Sequence, residues 1–258
     1  MIENDVYVGT FHKTGTVWLT SVFKAIAQEI KIPFYDVSRY SDFYVSDSQI
    51  ADLINRDGDY SNSSEPRIIF DGHSIFGCNK SSIPTQARGV RVVRSPVSII
   101  CSAAKYHTWS KESWLHKPMA IFNGLTYQQK INSLKDDNEK YRFEMENSSK
   151  GIINAMSRPM NNSNFFTVKY EAIVSDEKML EIESTLTKIG FRGRALMLAM
   201  KSFWELSLFG ELKAEKVNHI QNKAMNVYGN DWDEVTCRKY KENFYNDAIY
   251  LGYNEKLI

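Results

Sequence analysis

The sequence predicts an α/β fold in three layers, a parallel sheet flanked by helices with a helical insertion, on three observations. Short β-prone runs alternate with helical stretches along the chain. The β-runs, such as Val6-Tyr7-Val8 and Ile68-Ile69-Phe70, are too apolar for strands with one wet face, which suits parallel strands covered on both sides. Between about residues 108 and 150 the strand signal stops; Trp, Lys, Asn and Gln dominate, with helical stretches at Leu125 to Leu134 and Asp136 to Met145, as in an inserted lid. No repeat and no linker divides the chain, so a single domain over residues 1–258 is expected.

The elements follow in order. Val6-Tyr7-Val8-Gly9 is a strand that runs into a Thr/Gly-rich turn, Thr10 to Thr16. Trp18, Leu19, Val22, Phe23, Ile26 and Ala27 then recur at helical spacing through about Ile30. After a turn-rich loop over residues 57–66, Arg67 to Phe70 reads as a buried strand ending at Asp71-Gly72-His73. Gly89 to Val93 is a third strand; Ser95 as N-cap and Pro96 at the first helical position open a helix to about His107. Asn161 to Asn164 is a turn, Phe165 to Tyr170 a strand, and Glu177 to Ile189 a helix with Met179, Leu180, Ile182 and Leu186 on one side.

Composition excludes several classes of function. The 258 residues carry 32 Lys+Arg against 31 Asp+Glu, a net charge of +1, with 43% hydrophobic and 24% charged residues. That balance does not suit a chain that coats nucleic acid or an anionic membrane through many phosphate contacts, so neither partner is expected and any bound anion is held locally. Cys78, Cys101 and Cys237 are three scattered thiols with no disulfide framework and no zinc-ligand spacing, and no metal is expected. The acidic, polar opening Met1 to Asp5 lacks a secretory signal, apolar runs such as Ala195 to Met200 are far shorter than the roughly 20 residues that span a bilayer, and the expected location is cytoplasmic.

The most informative stretch is Gly9-Thr10-Phe11-His12-Lys13-Thr14-Gly15-Thr16-Val17-Trp18, set between the first strand and the first helix. At such a turn, backbone N–H groups and the positive end of the helix point at one spot, and a glycine lets the chain come close to a phosphate. Lys13 adds a charge and Thr16 a hydroxyl. The order is not that of a Walker A loop, because Lys13 precedes Gly15, and this counts against an ATP-dependent kinase.

Adding the third strand sharpens the reading. Lys13-Thr14-Gly15-Thr16-Val17-Trp18, followed by Arg94-Ser95-Pro96 and Ser102, resembles the two nucleotide motifs of the cytosolic-type sulfotransferases, the KSGTTW-like 5′-phosphosulfate loop and the R-x-P-x-x-x-x-x-S 3′-phosphate site. Tyr170-Glu171 is similar to that family's Tyr-Glu pair, and Gly229-Asn230-Asp231-Trp232 with Leu251-Gly252-Tyr253 to its C-terminal G-D-W segment and closing helix. The resemblance implies a P-loop-like sheet and a donor, 3′-phosphoadenosine 5′-phosphosulfate (PAPS), used without a metal. It implies that Lys13, Thr14, Gly15, Thr16 and the Val17 amide hold the 5′-phosphosulfate, that Arg94 and Ser102 hold the 3′-phosphate, and that Trp18 and Tyr170 flank the adenine. Periodicity alone suits Trp18 equally well as a core residue.

The same resemblance makes Lys13, His73 and Ser102 the candidate catalytic residues. His73 matches the family's catalytic histidine, although the chain reads Asp71-Gly72-His73 where K-T-H is common, losing a lysine on the acceptor side. The segment that covers the 3′-phosphate falls at His219-Ile220-Gln221-Asn222-Lys223, with Gln221 in place of an arginine, Asn222 beside it and Lys223 as a substitute cation. The implied partner is a small-molecule or carbohydrate acceptor, bearing a hydroxyl or less readily an amine; a homodimer is left open. Alternatives from other classes are a P-loop kinase and a non-catalytic nucleotide-binding module.

Other aromatic and histidine residues are weighed more plainly. His12 suits local turn packing. His107 and His116, in the insertion, suit solvated positions better than the acceptor pocket that either could line. Trp109, Trp114, Phe122 and Tyr127, interleaved with Lys105, Lys111, His116 and Lys117, suit either an acceptor wall or the packing of the inserted lid.

Overall fold

The computed structural model describes residues 2–38, 65–74, 86–160, 162–210 and 231–254. Its sheet is five-stranded and wholly parallel, in the order β2-β3-β1-β4-β5. The strands are β1 (Val6–Gly9), β2 (Phe34–Asp36), β3 (Ile68–Asp71), β4 (Arg88–Val93) and β5 (Phe165–Lys169). Every residue of β1 and β3 is buried, which explains their unbroken apolar character: strands in the middle of a parallel sheet meet helices or loops on both faces. Registers are direct, with Gly9 level with Asp71 on one side of β1 and with Arg91 on the other.

By residue contacts the chain forms two compact units, Met1–Val93 with Pro159–Lys223, and Arg94–Arg158 with Ala224–Ile258. The first holds the sheet. Its helices are α1 (Thr16–Ile30), α6 (Tyr170–Val174), α7 (Leu180–Lys188) and α8 (Gly193–Glu205). Helix α1 buries Leu19, Val22, Phe23, Ile26 and Ala27, the i, i+3, i+4, i+7, i+8 stripe that its sequence shows. Phe23 meets Phe203 of α8 edge to face at 5.7 Å. Helix α7 starts three residues later than Glu177, because Met179 takes a left-handed φ of 58° and the Asp176 carboxylate accepts from the amides of Leu180 and Ile182.

One glycine in the sheet is demanded by packing. A Cβ on Gly89 would lie 2.2 Å from Phe165 Cε1, so β4 passes under that ring only as glycine.

The second unit is helical: α2 (Pro96–His107), α3 (Tyr127–Asn132), α4 (Asp137–Glu146), α5 (Ser148–Met156) and α9 (Glu234–Tyr250), with 3-10 turns at Ser113–His116 and Ala120–Phe122. Helix α2 starts as its sequence predicts, with Ser95 Oγ accepting from Ser98 N and Pro96 at the first position. The inserted stretch has its own core of Leu115, Tyr127, Ile131 and Phe143, against which Met119, Phe122 and Leu134 pack. Phe122 and Tyr127 thus pack the insertion, whereas Trp109 and Trp114 stay partly exposed. A cap joins its far ends: Arg142 Nη1 donates to both oxygens of Asp233, at 3.0 and 2.8 Å, while Asp233 caps α9 by accepting from Thr236 N.

Candidate active site

In a parallel sheet all carboxyl ends share one edge, and the loops that leave that edge are where such folds place ligands. In the first unit these are the turn from β1 into α1, the turn after β3, and the junction of β5 with α6.

The first turn is shaped by threonines. Thr14 is fully buried; its amide donates to Phe11 O at 3.0 Å, and its hydroxyl accepts from Phe11 N at 2.8 Å and donates to Phe11 O at 2.9 Å. Thr16 Oγ1 donates to the same carbonyl at 3.0 Å, and Thr10 Oγ1 lies 2.9 Å from Thr16 Oγ1. Thr14 therefore braces the loop through its bonds to Phe11. Lys13, half-buried, takes a left-handed φ of 68°, a conformation costing an L-residue about 1 kcal/mol. Gly15, at φ 89°, is the N-cap of α1 and accepts from Leu19 N through its carbonyl.

The consequence is an anion-directed helix end. The first-turn amides of Thr16, Val17 and Trp18 have no carbonyl one turn back within the helix, and the first turn carries no acidic side chain to meet them. Gly15 is also where another element approaches: a Cβ there would stand 2.7 Å from Tyr170 Cε2, at the start of α6. Trp18 lies edge-on to Tyr170 at 6.4 Å and to Phe203 at 6.1 Å, with its indole N–H donating to Leu206 O at 2.8 Å. Trp18 is thus anchored in the core by one edge.

His73, half-buried, sits on the turn after β3. That turn is fastened at several points: His73 N donates to Asp71 Oδ1 at 2.8 Å, Ser74 N to Asp71 O at 3.3 Å, and Gly72 N to Ser38 Oγ at 2.7 Å. Asp71 is fully buried, and its carbonyl also accepts from Thr10 N at 2.9 Å. One residue therefore links the β1 turn to the His73 turn. Sequence reasoning noted Asp71 only as a missing lysine; the signal for its role is an acidic residue inside an apolar strand end, where only a bonded carboxylate is tolerated.

In the second unit, Arg94 and Ser95 directly precede α2, and Ser102 lies on that helix, half-buried; the first turn of α2 is likewise free of acidic residues. Gln221, Asn222 and Lys223, with His219 and Gly229, lie outside the described residues. His116 is exposed, its Nε2 3.1 Å from Ser110 O. His107, expected at the surface, is instead wholly buried, at the end of α2 against Glu144, because the insertion folds over it. Among the described residues no group of three or more His, Cys, Asp or Glu is placed to hold a metal ion, and no helix is long and apolar enough to cross a membrane.

Comparisons with known proteins agree with this architecture. The family described as a sulfotransferase domain matches residues 3–236. Among solved structures, mouse sulfotransferase SULT7A1 complexed with PAP is similar at a TM-score of 0.52 and 15% identity, covering 96% of this chain and 84% of that one. A retinol dehydratase in complex with androsterone and inactive cofactor PAP is similar at 0.52 and 12% identity, covering 96% and 81%. No curated protein sequence matches the chain. At these identities the structures speak for the fold alone; with the family match over nearly its full length, the chain belongs to the sulfotransferase family.

Proposed function

We propose that this sulfotransferase holds the 5′-phosphosulfate of PAPS at the β1–α1 turn, through Lys13, Gly15, Thr16 and the Val17 amide with Thr14 bracing the turn, and the 3′-phosphate through Arg94 and Ser102. Trp18 and Tyr170 flank the adenine, and Gln221, Asn222 and Lys223 cover the 3′-phosphate. The observation that supports this reading is the start of α1: first-turn amides with no carbonyl partner within the helix and no acidic side chain in the first turn, and a lysine held in a left-handed conformation beside them.

The reaction is an in-line displacement. The acceptor hydroxyl oxygen bonds to sulfur as the bond from sulfur to the 5′-phosphate bridging oxygen breaks. The hydroxyl proton goes to His73, and Lys13 neutralises the charge that develops on the leaving oxygen of adenosine 3′,5′-bisphosphate (PAP). Ser102 completes the catalytic set by fixing the 3′ end. The acceptor is a small molecule or carbohydrate bearing a hydroxyl. The cytoplasm is the proposed setting, on the scattered cysteines.

Thermal stabilisation by PAP is the direct test, set against ADP and ATP with and without EDTA. PAP-selective, EDTA-insensitive stabilisation is expected; a preference for ATP with Mg²⁺ would make the chain a kinase. With a turnover assay in hand, His73→Ala is expected to abolish transfer while PAP still binds, and retained turnover would remove His73 as the base.

A further inference from the structure

We propose that Glu144 is a positioning residue for donor recognition: from the far end of α2 it fixes the helix that presents Arg94 and Ser102 to the 3′-phosphate. This rests on the assignment of those two residues to the 3′-phosphate.

The carboxylate of Glu144 is wholly buried and receives three contacts from three other helices. His107 Nδ1, at the end of α2, lies 2.6 Å from Oε1; Tyr127 Oη, from α3, donates to Oε1 at 2.9 Å; Ser149 Oγ, from α5, donates to Oε2 at 2.9 Å. His107 and Ser149 are as deeply buried as Glu144, and Tyr127 is 3% exposed. The imidazole is walled in by Trp114 at 5.1 Å and Tyr127 at 5.4 Å, both edge-on. Burial, and then the neighbouring carboxylate, push the Tyr127 phenol far above its ordinary value, so it stays a donor. Gln128 Nε2 adds a bond to the His107 carbonyl at 3.1 Å.

Stability alone does not call for this arrangement. Apolar side chains of the same volume often fill such a core as stably as a buried polar cluster. What the polar network adds is direction: a carboxylate whose acceptor sites are taken by named donors sets the rotation and the axial register of each donor's helix. Helix α2 spans Pro96–His107, twelve residues, and moves as one rod. Pinning His107 therefore sets where Arg94, immediately before the rod, and Ser102, within it, stand. A bidentate or forked contact to phosphate is sensitive to sub-ångström shifts, so an error at the pinned end appears as lost 3′-phosphate affinity.

The experiment is calorimetric titration of the full chain with PAP and with adenosine 5′-monophosphate, which lacks the 3′-phosphate. The ratio of the two dissociation constants isolates the 3′-phosphate contribution. Glu144→Ala is expected to lower that preference for PAP by about tenfold while leaving adenosine 5′-monophosphate binding within about twofold, and Glu144→Gln, which keeps an acceptor and the side-chain shape, to restore most of it. A purely structural role reduces the folded fraction and weakens both ligands equally. An unchanged ratio in Glu144→Ala, whatever its thermal midpoint, overturns the proposal. Should Glu144→Ala fail to fold, the double variant His107→Leu/Glu144→Leu replaces the pinned pair by apolar side chains and removes the directional contact; it is expected to move the ratio the same way, and an unchanged ratio overturns the proposal equally. Arg94→Ala separates the two layers: if it leaves the ratio unchanged, the 3′-phosphate assignment itself falls, and this inference with it; if it collapses the ratio while the Glu144 variants do not, only this inference falls.

Discussion

Gly15 and Tyr170 touch so closely that a Cβ on Gly15 would stand 2.7 Å from Tyr170 Cε2, and Gly15 also holds a φ of 89°. Two independent constraints, one steric and one conformational, therefore require glycine at the N-cap of α1. Gly15→Ala is expected to destabilise the protein by about 1–2 kcal/mol. Because the same backbone forms the turn proposed to hold the 5′-phosphosulfate, PAP affinity is expected to fall by about tenfold as well. Urea unfolding and PAP titration of the same variant check both; a variant with wild-type affinity would show that the turn's approach to phosphate does not depend on this glycine.

Lys13 separates function from stability. Its φ of 68° is unfavourable for any residue with a Cβ. In Lys13→Gly the relief of that strain is offset by the larger chain entropy of glycine in the unfolded state, leaving stability within about 0.5 kcal/mol. Turnover is expected to fall about 10²–10³-fold, the usual loss when a group facing developing charge is removed. Single-turnover rates beside an unfolding curve read the two quantities; a rate near wild type would dismiss Lys13 from the reaction.

The close passage of β4 beneath Phe165 gives a stability prediction away from the site. A Cβ at Gly89 would lie 2.2 Å from the ring, so Gly89→Ala is expected to cost about 1–3 kcal/mol by overpacking. Phe165→Leu in the same chain opens space for the methyl, and the double variant is expected to be less destabilised than the two single losses summed. A double-mutant cycle with zero coupling would place the strain elsewhere.

Asp233 carries a pH dependence of defined sign. Thr236, by its side chain and its amide, and then Arg142 hold the carboxyl below its ordinary 3.8, at about 2. A carboxylate whose folded value is depressed contributes stability that is complete above its unfolded value and is lost as pH falls toward the folded one. The contribution of this cap is therefore expected to fade between about pH 4 and pH 2, and Asp233→Asn to remove that part of the acid sensitivity. The side chain of Asp233 is 45% exposed, so screening keeps the effect below about 1 kcal/mol. Denaturant midpoints at pH 5 and pH 2.5 for both proteins check it; equal acid losses would deny the cap this role.

Much of the architecture is local in origin and hence legible. The helical stripe of α1, the Ser95 and Pro96 start of α2, and the buried strands β1, β3 and β4 are each written within one or two turns of chain. Elements that stay hidden lack such a signature. Strand β2 is three half-buried residues, too short for any period to show, and forms because β3 offers it a parallel edge. Helix α9, implied only by the resemblance, shows no clear apolar period of its own and buries Thr236, Cys237, Tyr240, Phe244 and Ala248, a thin stripe that its neighbours define.

The candidate site divides the same way. Lys13, Gly15 and Thr16 stand out in the sequence because an anion site at a strand-to-helix turn needs particular residue types at short spacing, whereas Arg94 and His73 stand out only through the resemblance to the family's motifs. Asp71 and Trp18 carry more than their sequence shows, since the bonds of Asp71 to Thr10 and of Trp18 to Leu206 join residues far apart in the chain.

By itself, then, the sequence determined most of the strands and helices in their order and the strand-to-helix turns at Thr10 to Thr16 and before Pro96, because these depend on interactions among near neighbours. Only the tertiary structure decided that Tyr170 presses on Gly15, that Asp71 ties two turns together, and that His107 is buried against a glutamate 37 residues away. The physical reason is that burial and the partner of a polar group are properties of the packed chain, and no local period records them.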